Sequence, residues 1–280
     1  MTTKPVIGII AGSGDFPYEI AAAVRASGRD VFVLGLRGFF NRSLRAFPFA
    51  SVDMLDPQKA IEILRSRSVR DVVLAGGVHR PGPSALLSIY SAYRNRDELR
   101  ALLGSGDDRL LRGVVLFLED HQFNVLGVDS VAPSLLAPLG AITQLRAPDH
   151  IQPTIRFAKS LLSELGQYDI GQGVVIAGER VLAVEGPEGT DAMILRVRDM
   201  QKSKRVKLSD TPAVLVKFAK PHQDHRVDLP AIGPRTIRAA KSAHLAGIVI
   251  AAGDVVLVEK DKLISDADRA GMFIEGVQVS

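Results

Sequence analysis

The fold is decided by residues 4–17, which read KPVIGIIAGSGDFP. Residues 4–11 form a nearly continuous apolar run, as buried parallel strands do. A glycine turn, GSG at residues 12–14, follows at once, and a helical stretch begins at Tyr18. A strand, a glycine turn and a helix start form a βα unit whose backbone N–H groups can approach a phosphate. The motif is GxGxxP, since Pro17 stands where a dinucleotide fingerprint has its third glycine, and it does not by itself predict NAD binding.

The pattern of strand and glycine loop recurs further along the first half. Residues 71–75 (DVVLA) predict a strand that runs into GGVHRP at residues 76–81. In an open α/β sheet such loops lie at the carboxyl edge, where ligands bind. His79 and Arg80 are candidates to contact a nucleotide phosphate or base, and a turn with two exposed polar residues is the alternative. Further strands are predicted at residues 30–36, 52–55 and 124–128, so the first half predicts a doubly wound parallel sheet.

The second half predicts mixed α/β structure. Two apolar runs, residues 174–177 and 181–184, are separated by a short turn and indicate a β-hairpin. A strand at residues 247–251 is expected to pair, through a turn at Gly253, with a second strand at residues 254–259. The predicted fold class is therefore α/β, with a Rossmann-like parallel-sheet N-terminal domain and a mixed α/β C-terminal domain. The N-terminal domain is predicted at residues 1–130 and the C-terminal domain at residues 149–280, with a linker at residues 131–148.

An acidic turn follows the predicted hairpin. Residues 185–193 read EGPEGTDAM and lead into a helix. Thr190 or Asp191 could serve only as the helix cap. Glu185 and Glu188 crowd the same turn, however, and two unpaired carboxylates in close contact repel by about 1–4 kcal/mol. A bound cation would relieve that repulsion, so the turn predicts ligands for a hard metal ion.

The most densely charged stretch is residues 217–233, KFAKPHQDHRVDLPAIG, which follows an apolar run. Pro221 and Pro230 keep its charged part out of a helix and out of a strand ladder. Asp224 and Asp228 could hold a divalent cation through oxygen, while the neighbouring lysines and arginine could bind phosphate oxygens. The alternative is a solvated hairpin whose charges pair with one another at little net value.

Composition narrows the class of function. The 280 residues contain no cysteine, which excludes a thiolate nucleophile and a zinc–sulfur site. The net charge of +4 favours anionic ligands or anionic lipid surfaces, and aromatic residues, at 5%, are too few for a base-stacking platform. The first four residues lack the start of a signal peptide. We therefore expect a cytoplasmic protein that binds no nucleic acid.

Blocks of sequence along almost the whole chain resemble one known family, the LpxI-type UDP-2,3-diacylglucosamine pyrophosphatases. The blocks are IAGSGDFP (10–17), AGGVHRP (75–81), DIGQGVV (169–175), AVEGPEGTDAM (183–193) and KFAKPHQDHRVDLPAIGPRT (217–236). The resemblance implies two domains with the substrate held between them. It also implies the reaction, which splits UDP-2,3-diacylglucosamine into UMP and 2,3-diacylglucosamine 1-phosphate in lipid A synthesis. The implied cofactor is a divalent cation, Mg²⁺ or Mn²⁺.

Transferred by position, the resemblance implies a nucleotide side and a phosphate side of the site. The nucleotide side consists of Gly12, Ser13, Gly14, Asp15, Gly76, Gly77, His79 and Arg80. The phosphate side consists of Glu188, Gly189, Thr190, Asp191, Lys217, Lys220, Gln223, Asp224, Arg226 and Asp228. Among these, we expect Asp224, Asp228, Lys217, Lys220 and Arg226 to be catalytic. We expect Asp191, Asp224 and Asp228 to hold the metal.

These residue types suit the implied reaction, because a pyrophosphate must be neutralised by cations before water can attack it. Two alternatives belong to other classes: a nucleotide-sugar oxidoreductase that uses the first glycine loop, and a non-catalytic nucleotide-binding module. Pro17 counts against the oxidoreductase. A homodimer, and peripheral contact with the inner membrane because the substrate carries two acyl chains, are further expectations.

Overall fold

A computed structural model describes residues 5–78, 107–207, 211–220 and 223–279. The chain divides into two units. The first is Met1–Ala132 together with His225–Asp228, and the second is Pro133–Asp224 together with Leu229–Ser280. A short segment of the second half of the sequence therefore belongs to the first unit. Among the described residues, no helix is both long enough and apolar enough to cross a membrane.

The first unit is built on a parallel sheet with the strand order β3-β2-β1-β4-β5. Its elements are β1 (Val6–Ala11), α1 (Phe16–Ala26), β2 (Val31–Leu36), β3 (Phe49–Val52), α2 (Pro57–Ser66), β4 (Val69–Ala75), α3 (Asp107–Asp120), β5 (Asn124–Val125) and the single turn α4 (Val128–Val131). Buried apolar residues of β2 and β4 form a core with α2 and α3. The strand order reverses at β1 and β4, and this switch point is where doubly wound sheets bind ligands.

The second unit is built on a six-stranded mixed sheet with the order β6-β13-β11-β9-β7-β8. Its elements are β6 (Gly140–Ala141), α5 (Gln152–Gln167), β7 (Gly173–Ala177), β8 (Arg180–Val184), α6 (Thr190–Lys202), β9 (Ala213–Lys217), β10 (Ala231–Ile232), α7 (Pro234–Ser242), β11 (Gly247–Ala251), β12 (Val256–Leu257), α8 (Lys260–Arg269) and β13 (Phe273–Val277). Strands β9, β11 and β13 run parallel, and β7 and β6 join them antiparallel. All five residues of β9 are buried because strands flank it on both sides and helices cover the sheet. The α/β fold class predicted from the sequence is confirmed.

Residues 131–148, predicted as a linker, contain ordered elements of the second unit. Pro133–Leu135 form a 3₁₀ turn, and β6 pairs antiparallel with β13. Thr143 adds a side-chain contact, since its hydroxyl accepts the backbone N–H of Ile274 at 2.8 Å. From Pro133 onward the segment therefore belongs to the second unit, and it contributes the edge strand β6 to the second sheet.

The predicted pairing of residues 254–259 with β11 is wrong. Val256–Leu257 instead pair in parallel with Ala231–Ile232, forming a separate two-stranded sheet. Gly253 N donates to Ala137 O at 2.9 Å, so this N–H does not close a hairpin turn between β11 and residues 254–259. Residues 255–257 are all buried, which removes the half-exposed alternation that a hairpin strand of this kind would show.

Candidate active site

In the first unit, two glycine loops meet at the carboxyl ends of the neighbouring strands β1 and β4. Ser13 N donates to Gly77 O at 2.7 Å, and Gly77 N donates back to Ser13 O at 3.1 Å. The Ser13 hydroxyl also donates to Gly77 O at 2.8 Å. The structure therefore brings the predicted residues 12–14 and 76–77 together at the switch point of the sheet.

The glycines in these loops are required by the loops themselves. A Cβ on Gly12 would lie 2.5 Å from Gly77 O. A Cβ on Gly76, whose φ is +87°, would lie 2.6 Å from Ser13 O and 2.9 Å from Cγ of Pro17. Pro17 thus packs against the second loop, which gives it a structural role where a dinucleotide motif has glycine. Among the described residues, no atom lies within 4 Å of a Cβ placed on Gly14, whose φ is +91°.

Asp15, a further predicted nucleotide-side residue, has a hydrogen-bond partner outside the two loops. The Asp15 carboxylate accepts a hydrogen bond from the Asn41 side chain at 2.7 Å, which ties the start of α1 to the segment after β2. His79 and Arg80 lie outside the described residues.

In the second unit, Lys217 ends β9 and is 4% exposed. Its Nζ donates to the Thr190 hydroxyl at 2.5 Å and lies 3.4 Å from both oxygens of Glu185. The Thr190 hydroxyl in turn donates to Glu185 Oε1 at 2.8 Å. A buried cation with an adjacent carboxylate is internally neutralised, and this arrangement compensates the cost of burying both charges.

A cavity of about 420 Å³ opens at the amino-terminal ends of α6, α7 and α8. Its lining is Glu188, Gly189, Thr190, Asp191, Ala231, Ile232, Gly233, Pro234, Arg235, Thr236, Val258 and Glu259. The first turn of a helix carries N–H groups without partners inside the helix and a partial positive charge. These turns, and the Arg235 guanidinium 3.6 Å from the Asp191 carboxylate, are groups that can bind an anion such as a phosphate.

The carboxylates around the acidic turn have partners within the chain. Glu185 faces Lys217, and Glu188 forms an ion pair with Arg196 at 2.7 Å. Asp191 accepts a hydrogen bond from Thr236 at 2.9 Å. The interpretation that Glu185 and Glu188 are unpaired and need a metal to relieve their repulsion is therefore wrong, because neighbouring cations already offset it.

Of the three predicted metal ligands, Asp191 lines this cavity, whereas Asp224 and Asp228 do not. Glu188, Asp191 and Glu259 contribute carboxylate oxygens to its lining. Mg²⁺ binds through one or two carboxylates and keeps waters or phosphate oxygens for its other positions. Within the described parts of the chain there is no cluster of three or more His, Asp or Glu side chains that would form an all-protein cage.

The loop after β9 leads from the second unit into the first. Lys220 forms an ion pair with Asp169 at 2.6 Å, and Gln223 Oε1 accepts the backbone N–H of Lys220 at 3.0 Å. Asp224 is half-buried and belongs to the second unit. Arg226 and Asp228 belong to the first unit, where Arg226 pairs with Glu119 at 2.6 Å. The predicted catalytic residues are thus distributed over both units.

Sequence reasoning did not select three lining residues of the cavity that have polar or charged side chains. They are Arg235, Thr236 and Glu259. The signal for the first two was present in GPRT at residues 233–236, since proline after glycine marks a helix start with free N–H groups. Glu259 has a left-handed backbone, with φ +49°, and no local sequence signal indicates that conformation.

Both halves of the chain match models of one protein family. The LpxI N-terminal domain matches residues 6–135, and the LpxI C-terminal domain matches residues 138–275. The chain belongs to the LpxI family. The resemblance of the sequence blocks is thereby confirmed at the level of the family.

An LpxI relative from Caulobacter vibrioides (strain ATCC 19089 / CIP 103742 / CB 15) carries the name UDP-2,3-diacylglucosamine pyrophosphatase. It is 39% identical to this LpxI chain over 272 residues, 97% of both chains.

Similarity to solved structures is remote. UDP-glucose 4-epimerase of Thermus thermophilus, in complex with NAD, is 16% identical with a TM-score of 0.30, covering 97% of this chain and 85% of its own. A short-chain dehydrogenase/reductase superfamily protein of Agrobacterium tumefaciens with bound NAD is 14% identical with a TM-score of 0.28, covering 98% and 85%. Scores this low do not indicate a shared overall fold.

Proposed function

We propose that this chain hydrolyses the pyrophosphate bond of UDP-2,3-diacylglucosamine to UMP and 2,3-diacylglucosamine 1-phosphate, a step of lipid A biosynthesis. The observation that carries the proposal is the 39% identity, over 97% of both chains, to a relative named for this activity. In the reaction, the oxygen of a water molecule forms a bond to one phosphorus. The bond between the bridging oxygen and that phosphorus breaks, and the proton of water is released.

The cavity at the helix starts supports a role in binding the reacting phosphates. The first turns of α6 and α7 line this cavity, and N–H groups of a first turn that lack partners inside the helix favour an anion. Arg235 brings a guanidinium to the same place, with its Nε 3.6 Å from the Asp191 carboxylate. Such fixed donors stabilise the charge that develops on phosphoryl oxygens without reorganising during the reaction. Glu188, Gly189, Thr190 and Asp191 are the predicted substrate-binding residues that line this cavity.

A divalent cation, Mg²⁺ or Mn²⁺, is proposed as the cofactor, and Asp191, Asp224 and Asp228 are the residues that would hold it. When bound, such an ion acts as a Lewis acid on phosphoryl oxygens. Asp224 is also the residue proposed to orient the attacking water. Lys220 and Arg226 are proposed to add positive charge near the phosphates.

The test is UMP release from UDP-2,3-diacylglucosamine, measured with and without EDTA. We expect release that EDTA removes and that added Mg²⁺ restores. Release that is unaffected by EDTA would contradict the proposed metal dependence but still support the hydrolase activity. No release at all would indicate a nucleotide-binding module, and turnover that requires a nicotinamide would indicate an oxidoreductase. UDP-N-acetylglucosamine, which lacks the two long acyl chains, is the matched control substrate.

A further inference from the structure

Glu185 is almost fully buried, although it lies in a turn that the sequence marks as polar. Its side chain is 11% exposed, and that of Lys217 is 5% exposed. One carboxylate oxygen accepts from both the Thr190 hydroxyl, at 2.8 Å, and Lys217, at 3.4 Å. The other oxygen lies 3.4 Å from the same ammonium group. Burying this carboxylate is costly unless its partners are kept in place, so the three side chains constrain one another.

The glycines of DIGQG, residues 169–173, make the space that Glu185 occupies. Gly173 lies opposite Lys217 in the antiparallel pairing of β7 with β9. A Cβ on Gly173 would lie 2.7 Å from Glu185 Oε2. Gly171 has φ +59°, and a Cβ there would lie 2.2 Å from the Glu185 carbonyl oxygen. This motif therefore has a defined structural use, which is to admit Glu185 next to Lys217.

The Thr190 hydroxyl has little capacity left for a ligand. Its proton is donated to Glu185, and one of its lone pairs accepts from Lys217. A hydroxyl has one proton and two lone pairs, so only an acceptor site remains. Phosphate oxygens are themselves acceptors and require donors. The group that Thr190 can offer to an anion in the cavity is therefore its backbone N–H, in the first turn of α6.

We propose that Glu185, Lys217 and Thr190 form a positioning unit that fixes the first turn of α6 against the end of β9. In this role Lys217 and Glu185 do not touch the substrate. They hold the backbone donors of Thr190 and Asp191 at the cavity, and the proposal rests on the hydrolysis proposed above. A misplacement of about 1 Å in such donors costs about a hundredfold in rate.

The experiment compares Glu185→Gln, Thr190→Val and Thr190→Ser with wild type, using kcat, KM and hydrogen exchange of the peptide covering residues 187–195. Glu185→Gln and Thr190→Val are expected to lower kcat about tenfold to a hundredfold, with KM changed less than about threefold. Both should speed exchange in this peptide. Thr190→Ser keeps the hydroxyl and is expected to stay close to wild type. Thr190→Val leaves the ion pair between Lys217 and Glu185 intact, so the test remains decisive if Glu185→Gln fails to fold.

The matched control is Asp71→Asn, which neutralises the carboxylate of another largely buried ion pair, with Arg29 at 3.0 Å in the first unit. It should lower thermal stability but leave kcat and exchange of residues 187–195 unchanged. The proposal is overturned if Glu185→Gln and Thr190→Val retain wild-type kcat and exchange, or if Asp71→Asn lowers kcat equally. Exchange is measured without substrate, so it decides the positioning role even if wild type releases no UMP, the result that would defeat the proposed function.

Discussion

The carboxylates of the acidic turn show how much the role of a residue depends on its partner. Glu185 is buried against Lys217, Glu188 is paired with Arg196, and Asp191 accepts from Thr236 at the cavity. Sequence reasoning placed all three in one metal-binding set because they are close along the chain. Their separation into different environments follows from the direction in which each side chain leaves the turn, and composition does not encode that direction.

Asp224 is the residue whose replacement tests the proposed chemistry most directly. We expect Asp224→Asn to lower turnover at least about a hundredfold, the typical contribution of a group that orients or deprotonates water. Thermal stability should change little, because the side chain keeps its size. The measurement is the initial rate of UMP release beside the melting temperature. Asp199→Asn, at an exposed position paired with Arg198, should retain full activity. Equal activity of Asp224→Asn and wild type would remove Asp224 from the mechanism.

At the scale of elements, local sequence patterns predict the helices and strands whose ends are set by local chemistry. The hairpin of β7 and β8 was predicted from two apolar runs and a glycine turn, and the structure confirms it. The sequence predicts the third strand at residues 52–55, but the strand lies at Phe49–Val52. The Asp53 and Asp56 side chains accept the backbone N–H groups of Leu55 and Lys59, which ends the strand and starts α2. The sequence signal for the end of this strand is the pair of aspartates, whose short polar side chains compete with the strand for backbone hydrogen bonds.

The glycine motif before β7 gives a prediction at this scale. Gly171→Ala should destabilise the second unit by about 1–3 kcal/mol from overpacking, in addition to about 1 kcal/mol from its left-handed backbone. Gly178→Ala is the matched control: its φ is +61°, but among the described residues the nearest atom to its Cβ position is 3.5 Å away, so we expect only the backbone term to apply. Urea unfolding of both variants measures the difference. Equal loss in the two variants would show that the close approach to Glu185 costs nothing.

At the scale of the whole molecule, the path of the chain crosses the predicted domain boundaries. His225–Asp228 belong to the first unit, although they lie far beyond its predicted end in the sequence. Val227 packs against the core of that unit, and Arg226 pairs there with Glu119. The loop that carries the proposed catalytic residues is therefore held by structure in both units.

Val227 tests this assignment. Val227→Ala should lower the stability of the first unit by about 1 kcal/mol, the usual cost of removing partly buried methyl groups. The measurement is hydrogen exchange in urea, followed in peptides from β2 and β4. Val181→Ala, on an exposed part of β8, should change stability by less than about 0.5 kcal/mol. Faster exchange confined to the second unit would contradict the assignment of this segment.

Local sequence was sufficient for the βα unit at the start of the chain, the hairpin, the α/β class and the family. Apolar periodicity, glycine turns and the order of short motifs are properties of neighbouring residues, so they can be read without coordinates. The burial of Lys217 against Glu185 and the cavity at three helix starts were decided by tertiary structure alone. Both depend on residues far apart in sequence meeting at the ends of strands, where desolvation forces each buried charge to find a partner.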